Sequence, residues 1–177
     1  MDQLVEIKSK IQINPSRVGK KYFVKTFGCQ MNEHDSERIS GMFELDGMSK
    51  AISEEYADVL FVNTCTIREN ADDKLYGTLG QLKQWKSQKD NRKLLVGGCA
   101  AQKDKELVRE KAPWVDVVIG THNLTNVVDL LNRSEDWGPL TEIIDEIETL
   151  PTEAPSIRES EYSAWVTIQI GCNNSCT

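Results

Sequence analysis

Cysteine offers the most distinctive chemistry in this 177-residue sequence, and three of its five cysteines share one local pattern. Cys29, Cys65 and Cys99 each follow a short apolar segment, and they are about 35 residues apart. A glycine directly precedes Cys29 and Cys99, and glycine lets the backbone turn sharply and approach a bulky ligand. A lone cysteine is often only a small buried hydrophobe, but the repeated position predicts a shared binding site.

A metal or an iron–sulfur cluster is the ligand that this pattern predicts. In a parallel sheet the carboxyl ends of all strands lie along one edge, where α/β domains bind their ligands. Cysteines placed one per strand–helix unit therefore meet in space although they are far apart in sequence. Thiolates are soft ligands that bind iron–sulfur clusters and zinc. Cys29, Cys65 and Cys99 are thus predicted to be ligands.

Alternation of apolar runs with amphipathic stretches predicts an α/β fold, in which a parallel sheet of about five strands has helices on both faces. A flavodoxin-like or Rossmann-like arrangement suits the pattern, with the strand order 2-1-3-4-5. Predicted strands cover residues 22–26, 48–52, 58–63, 94–97 and 115–119, and predicted helices cover 36–45, 71–87, 104–111 and a last stretch around 124–131.

Composition divides the chain into four segments. Residues 1–20 are interpreted as an N-terminal extension and residues 21–133 as the α/β domain. Acidic residues and prolines in 134–163 predict a linker. A new apolar strand at 165–170 indicates that residues 164–177 begin a second domain.

Acidic residues concentrate in the predicted linker. The chain carries a formal net charge of −7, while residues 135–161 contain nine acidic residues and one basic residue, a net of −8. The remaining residues therefore sum to +1, since −7 minus −8 is +1. Overall charge argues against a nucleic-acid partner, but a nearly neutral main domain is not decisive.

The cytoplasm is the expected compartment. The N-terminus lacks the basic and apolar regions of a signal peptide, and no apolar run approaches the roughly 20 residues that span a bilayer. We therefore expect no membrane association. Disulfides are rare in the cytoplasm, and an odd number of cysteines cannot all pair, so the cysteines are interpreted as ligands or reactive thiols.

A second pair of cysteines, Cys172 and Cys176, follows the predicted strand at 165–170 and a glycine. This spacing opens a C-x3-C-x2-C cluster loop, whose third cysteine would come two positions after Thr177. A chance pair or half of a zinc site has the same spacing. The position directly after a new strand favours a second cluster site.

Together these motifs closely resemble the methylthiotransferases, over nearly the whole chain from Lys21 onward. The tripeptide Gln-Met-Asn after the first cysteine is similar to the branch of this family that modifies isopentenyladenosine in tRNA. The resemblance is carried by Gly28-Cys29-Gln30-Met31-Asn32, Asp35-Ser36-Glu37, Asn63-Thr64-Cys65, Gly98-Cys99-Ala100-Ala101-Gln102 and Ile170-Gly171-Cys172-Asn173-Asn174-Ser175-Cys176-Thr177.

The resemblance implies two 4Fe-4S clusters and S-adenosylmethionine as cofactors. Cys29, Cys65 and Cys99 match the ligands of an auxiliary cluster. Cys172 and Cys176 match two of the three ligands of the radical S-adenosylmethionine cluster. No side chain of this chain is implied to be catalytic. Residues 164–177 would begin the radical S-adenosylmethionine barrel, and we expect the chain to be an N-terminal part of a longer enzyme, inactive by itself.

The implied reaction converts N6-isopentenyladenosine next to the tRNA anticodon to its 2-methylthio derivative. The hydrogen on C2 of adenine has no acidity that a base could use, so the resemblance implies radical abstraction, which the cofactor carries. The implied partners are the anticodon stem-loop of tRNA, bound mainly by domains beyond this chain, and an electron donor such as flavodoxin or ferredoxin. The enzyme is expected to be a monomer.

Two other functions are compatible with the sequence. One is a methylthiotransferase that acts on a ribosomal protein, and the other is a non-catalytic module that binds zinc or senses oxidation. Several single residues also allow two interpretations. Gln30 and Asn32 either bond to cluster sulfurs or cap the following helix. His34 and His122 are either a fourth ligand or a proton donor, or else surface or capping residues. The basic stretch 83–93 is either a solvated helix face or a phosphate contact.

Overall fold

A computed structural model of the chain describes residues 13–66, 71–145, 155–158 and 162–166. Within this part of the chain one sheet contains six strands, and all neighbouring strands are parallel. The strands are β1 (Lys21–Thr26), β2 (Ser49–Lys50), β3 (Val59–Thr64), β4 (Lys93–Gly98), β5 (Val117–Ile119) and β6 (Leu140–Glu142).

The strand order across the sheet is β2-β1-β3-β4-β5-β6. This order confirms the predicted α/β class and the flavodoxin-like arrangement of the first five strands. The prediction of about five strands is one too few, because β6 is added beside β5. β6 has three partly buried residues directly after Pro139. So short and mixed a segment lacks the apolar run or alternation that marks a strand.

Helices cover both faces of the sheet. They are α1 (Gln30–Leu45), α2 (Ala71–Ser87), α3 (Cys99–Asp104), α4 (Leu107–Lys111) and α5 (Val127–Trp137), with short 3-10 helices at Glu54–Tyr56 and Thr121–Asn126. Among the described helices, none has both the length and the apolar composition that crossing a membrane requires.

Alternate residues of the central strands feed two separate cores, because successive side chains of a strand point to opposite faces. On one face, α1 and α5 pack against residues that include Phe61 and Leu95. On the other face, α2, α3 and α4 pack against residues that include Leu60 and Leu94. Burial on both faces explains why β3 and β4 are nearly continuous apolar runs.

Helix boundaries differ from the predictions at two places. α1 begins at Gln30 rather than near residue 36, because Cys29 is its N-cap and cysteine is not a typical helix start. The helix predicted at 104–111 is shorter, because α4 begins at Leu107, and a second helix, α3, precedes it and ends at Asp104. Lys105, with a φ of +48°, interrupts the helical path between them. The predicted bounds of α2 are confirmed.

The first part of the predicted acidic linker is folded. α5 continues to Trp137 and β6 follows, so residues 134–142 belong to the α/β domain. The acidic composition of this part predicted a linker, but most of its acidic residues lie on the exposed side of the end of α5. Residues 1–12 of the predicted extension, Cys172, Cys176 and most of the predicted strand at 165–170 lie outside the described residues.

Residues 155–158, called the α1 strap below, lie against α1. The backbone N–H of Ile157 donates a hydrogen bond to the carbonyl oxygen of Glu37, with an N···O distance of 3.0 Å. Gly41 provides the space for this contact, since a Cβ built there would lie 2.4 Å from the carbonyl oxygen of Pro155. The strap is therefore in close backbone contact with the middle of α1.

Arg17 ties the residues before β1 to the domain. Its fully buried guanidinium contacts Glu135 (Nη1–Oε1 2.6 Å), Asn132 (Nη2–Oδ1 2.9 Å) and Asp46 (Nε–Oδ2 3.3 Å). Burial raises the pKa of Asp46 to about 6, although the nearby Arg17 acts in the opposite direction. A buried guanidinium is tolerated only when such partners compensate the loss of its hydration.

Replacing Arg17 by methionine should lower the free energy of unfolding by roughly 3–5 kcal/mol, because the carboxylates lose a buried partner. Lys20→Met is the matched control. Lys20 also faces Glu135, with an Nζ–Oε1 distance of 3.6 Å, but it is partly exposed, so its loss should cost about 0–1 kcal/mol. Urea unfolding measures both variants, and equal losses would contradict the special role of the buried Arg17.

Candidate metal centre

The three predicted ligands lie at one edge of the sheet. Cys29 follows β1, Cys65 follows β3 and Cys99 follows β4, and these three strands are neighbours with β3 in the middle. The register aligns Thr26 with Asn63, and Thr64 with Gly98, so the strand ends are nearly level.

The cysteines also coincide with the switch point of the sheet. β2 is added on one side of β1, whereas β3 and all later strands are added on the other side. The connections that leave β1 and β3 therefore diverge to opposite faces and leave a crevice at the carboxyl ends of the strands. Open α/β sheets bind their ligands in such a crevice.

The cysteine loops approach each other closely. Cys65 is buried, with 5% of its surface exposed, while Cys29 and Cys99 are half-buried, and none of the three forms a disulfide. Gly28 has a φ of +139°, and a Cβ built on it would lie 2.7 Å from the Cβ of Cys65. Only glycine allows the first loop to reach the second loop in this conformation.

Like charges would accumulate at this edge if the thiols ionised. Burial raises the pKa of the Cys99 thiol, and the Cys65 and Cys29 thiols raise it further by repulsion of like charges. Asp35 acts on Cys99 in the same direction, and burial raises the pKa of Asp35 itself to about 6, with Arg38 opposing. A cationic ligand relieves this repulsion, and its binding displaces the thiol protons.

Three thiols on neighbouring loops are a donor set that suits an iron–sulfur cluster. Within the described ranges, no three His, Cys, Asp or Glu side chains are close enough to hold a single ion together. The three thiols are nevertheless near enough for two of them to raise the pKa of the third. A cluster distributes its iron atoms over a cube, so its ligands stand farther apart than those of one zinc ion.

Two asparagines connect the first two cysteine loops. The side-chain carbonyl of Asn32 accepts a hydrogen bond from the backbone N–H of Cys29 at 3.2 Å and lies 3.6 Å from the thiol sulfur. Asn32 and Asn63 are almost completely buried and bond directly to each other. Of the two roles considered for Asn32, the structure supports capping of α1.

A cavity of about 300 Å³ opens beside Cys65 and Gly28. Its walls also include the oppositely charged Glu33 and Lys74 and the ring of Phe27. This volume is at the lower end of the range for small-molecule sites. The cavity therefore gives a small ligand access to the edge at which Cys65 lies.

One of the two histidines, His122, has a backbone partner that suits a structural role. Burial lowers the pKa of His34, and Arg38 lowers it further. Nδ1 of His122 is 3.1 Å from the carbonyl oxygen of Ile144.

The basic stretch 83–93 is used mainly for internal contacts. Lys86 and Lys93 form ion pairs with Asp116. The guanidinium of the buried Arg92 lies 4.6 Å from the ring centroid of Trp85, which is a core residue as predicted. These pairings argue against a phosphate contact, and they also give the stretch more internal contacts than the solvated helix face that was the other prediction.

Asn63 is the important site residue to which the sequence prediction assigned no role. Its side chain is fully buried at the end of β3, after four apolar residues. One signal in the sequence could have identified it. Asn63 is a polar residue near the end of an otherwise apolar strand, two positions before Cys65. Its hydrogen-bond partners are 27 to 31 residues away in sequence, so no local pattern identifies them.

The fold and the cysteines define a doubly wound α/β domain whose switch point is lined by thiols. The sequence signature described as Uncharacterized protein family UPF0004 matches residues 21–120, which is more than half of the chain. The chain belongs to this family.

Curated relatives named tRNA-2-methylthio-N(6)-dimethylallyladenosine synthase match almost the whole chain. The protein of Tropheryma whipplei is 55% identical over 157 residues, which cover 88% of this chain and 33% of the relative. Those of Corynebacterium jeikeium and Corynebacterium urealyticum are 52% and 49% identical, covering 92% and 97% of this chain and 32% of each relative.

The chain thus spans about a third of the length of these curated relatives. The predicted resemblance to the methylthiotransferases is confirmed, and within that family the similarity is to this tRNA-modifying synthase.

Gly98→Ala should destabilise the protein more than Gly138→Ala does. The two glycines have nearly the same backbone conformation, with φ of +92° and +89° and ψ of −170° and −172°. Alanine in this conformation costs about 1–3 kcal/mol at either site. At Gly98 the new Cβ would also lie 2.4 Å from the carbonyl oxygen of Thr64, whereas no atom lies within 4 Å at Gly138.

The extra crowding should add roughly 1–3 kcal/mol to the loss at Gly98. Urea unfolding of both variants measures the difference. Equal losses would show that the close packing of the third cysteine loop on β3 contributes nothing to stability.

Proposed function

We propose that this chain is part of a tRNA methylthiotransferase that converts N6-isopentenyladenosine beside the anticodon to its 2-methylthio derivative. The observation that carries the proposal is the placement of Cys29, Cys65 and Cys99 at the switch point of the sheet. The names of the relatives support tRNA as the substrate rather than a ribosomal protein.

In this proposal Cys29, Cys65 and Cys99 hold an auxiliary 4Fe-4S cluster. Held by these three thiolates, the cluster would supply the chemistry of sulfur transfer and a place for the sulfur atom that is to be transferred. The chain itself provides thiolates from three neighbouring strands, and Cys29 sits at the N-terminus of α1, where the helix dipole favours negative charge. Burial of Cys65 limits contact of the site with water.

The cavity beside Cys65 is the proposed approach to that sulfur. It lies at the carboxyl edge of the sheet and is lined by the first two cysteine loops. A small donor or the edge of a base could enter there without displacing the packed loops. Glu33 and Lys74 place charges of both signs at its wall, which would orient a polar ligand.

Cys172 and Cys176 are the proposed ligands of a second cluster, together with a third cysteine of the whole enzyme. With S-adenosylmethionine bound, that cluster supplies the radical chemistry that an unactivated C–H bond requires. An electron donor such as flavodoxin or ferredoxin would reduce it. No side chain of the described domain needs to act as an acid or a base in this scheme.

We further propose that the enzyme is a cytoplasmic monomer whose tRNA contacts lie mainly outside residues 1–177. The chain as a whole has a net charge of −7, and the basic stretch 83–93 forms internal ion pairs. Neutralisation of phosphates by Lys and Arg supplies most nucleic-acid affinity. A domain whose charge is nearly balanced outside residues 135–161 would contribute little of it.

Anaerobic reconstitution of residues 1–177 should load close to one 4Fe-4S cluster, or about four irons per chain. Cys65→Ala should abolish loading because it removes one of three ligands. Cys172→Ala is the matched control and should retain most of the iron. Iron and sulfide analysis with the absorption near 400 nm measures loading.

The same preparation should release no 5′-deoxyadenosine from S-adenosylmethionine after reduction with dithionite. Two stable clusters per chain, or 5′-deoxyadenosine above background, would contradict the proposed division of the cysteines. A colourless chain that binds zinc instead of a cluster would contradict the proposed function itself.

A further inference from the structure

Asn32 and Asn63 form a reciprocal pair of hydrogen bonds between α1 and β3. The side-chain amide of Asn63 donates to the backbone carbonyl of Asn32 at 2.8 Å, and the side-chain amide of Asn32 donates to Oδ1 of Asn63 at 3.0 Å. Only 1% of Asn32 is exposed and none of Asn63. Burying two amides is unfavourable unless they are bonded, and here each one is.

The pair contacts all three cysteine loops. In the first loop, Oδ1 of Asn32 accepts from the N–H of Cys29. In the second, Nδ2 of Asn32 donates to the carbonyl oxygen of Thr64, the residue before Cys65, at 3.0 Å. The third loop packs on the pair at Gly98, where a built Cβ would lie 2.5 Å from Oδ1 of Asn63.

Further polar residues extend the network to β1 and β4. The Asn63 amide also donates to the hydroxyl of Ser36 at 3.0 Å, and Thr26 at the end of β1 donates to the same hydroxyl at 2.8 Å. Thr64 donates to the carbonyl oxygen of Gly97 in β4 at 2.6 Å. The carboxyl ends of β1, β3 and β4 are thereby joined through side chains as well as through the sheet.

We propose that Asn32 and Asn63 are positioning residues that hold the three cysteine loops at the spacing a cluster requires, before the cluster binds. The proposal rests on the proposed function of the cysteines. Neither asparagine is a ligand in it. Each acts through the backbone of a neighbouring loop, and their direct bond makes the two residues one unit.

If Asn32 served only to cap α1, a different part of its side chain would matter than if it positions the loops. Capping of α1 needs only the side-chain oxygen, which bonds to the N–H of Cys29. Positioning also needs the side-chain amide, which bonds to Asn63 and to Thr64. Asn32→Asp keeps an oxygen for the cap and removes the amide, but it adds a negative charge near Cys29. Asn63→Ala removes the partner of that amide without adding a charge, so the two variants together separate the two roles.

The experiment compares Asn32→Ala, Asn63→Ala, the double variant and Asn32→Asp with the matched control Asn123→Ala. Asn123 is equally buried, at 1% exposure, and donates to the backbone carbonyl of Glu142 in β6, the edge strand farthest from β1 and β3 on that side of the sheet order. The Asn123→Ala variant therefore measures how much stability is lost when a buried amide elsewhere in the domain is removed. Thermal unfolding of the apo chains places all variants on one stability scale.

The first readout is iron retained against a chelator after reconstitution. Loss of groups that orient metal ligands typically lowers affinity by roughly 10–100-fold, and we expect this for Asn32→Ala, Asn63→Ala and Asn32→Asp but not for Asn123→Ala. The electron paramagnetic resonance spectrum of the reduced cluster should change in the same three variants. The double variant should lose less than the sum of the two single losses, because the two residues share their direct hydrogen bonds.

The second readout needs no cluster. A short bifunctional alkylating reagent should join Cys29 to Cys65 in the apo wild-type chain, with a several-fold lower yield in Asn32→Asp and Asn63→Ala and an unchanged yield in Asn123→Ala. Equal yields in all chains would overturn the positioning proposal, whether or not a cluster loads. Normal iron retention and an unchanged spectrum in Asn32→Asp would also overturn it. A wild-type chain that cross-links normally but never loads iron would contradict the proposed function instead.

Discussion

Parallel pairing of β1, β3 and β4 is the constraint on which the rest of the structure depends. It brings three residues that are far apart in sequence to one edge, and it does so through backbone hydrogen bonds that no side chain can change. The helices then have to cross to the two faces, and the crevice arises where β1 and β3 send them in opposite directions. The sheet topology places the three thiols at this edge, whereas side-chain contacts between the loops determine the distances between them.

The interior at this edge is unusually polar for a sheet that is apolar elsewhere. Asn63 and Thr64 end a strand of buried Val, Leu and Phe residues, and they are nearly inaccessible to solvent. A buried polar group without a partner costs about 1–3 kcal/mol, so each of these groups strongly favours the arrangement in which its partner is in place. The conformations of the loops consequently depend on one another. A substitution at Gly98 or Asn32 would also change the position of the cysteine in the neighbouring loop.

Much of the fold could be predicted from the sequence, because it rests on local patterns. The apolar runs of β3 and β4 and the helical stripe of α2 are such patterns, and the spacing of the cysteines predicted their common edge. β6 could not be predicted, since its three residues form a strand only because β5 offers a free neighbour. The start of α1 was missed because Cys29 replaces the usual capping residues, and Asn32 completes the cap from inside the helix.

Site residues that act through distant partners were the hardest to predict. Asn63 bonds to groups on α1, and nothing in its immediate sequence shows that α1 will lie there. Arg17 presents the same difficulty, because its partners Glu135 and Asn132 come from the other end of the domain. In both cases the residue type indicates a polar contact, but only the assembled fold shows which residue is the partner.

The α1 strap determines where the rest of the chain is tethered. Ile157 is hydrogen-bonded to the helix that Cys29 caps, and fourteen residues lie between Ile157 and Cys172. Fully extended, they reach at most about 50 Å. The second cysteine pair is thus tethered within about 50 Å of the strap, and a tether raises the effective concentration of one site at the other. Lengthening the chain between the domain and the strap leaves that radius unchanged, whereas every residue inserted after the strap enlarges it.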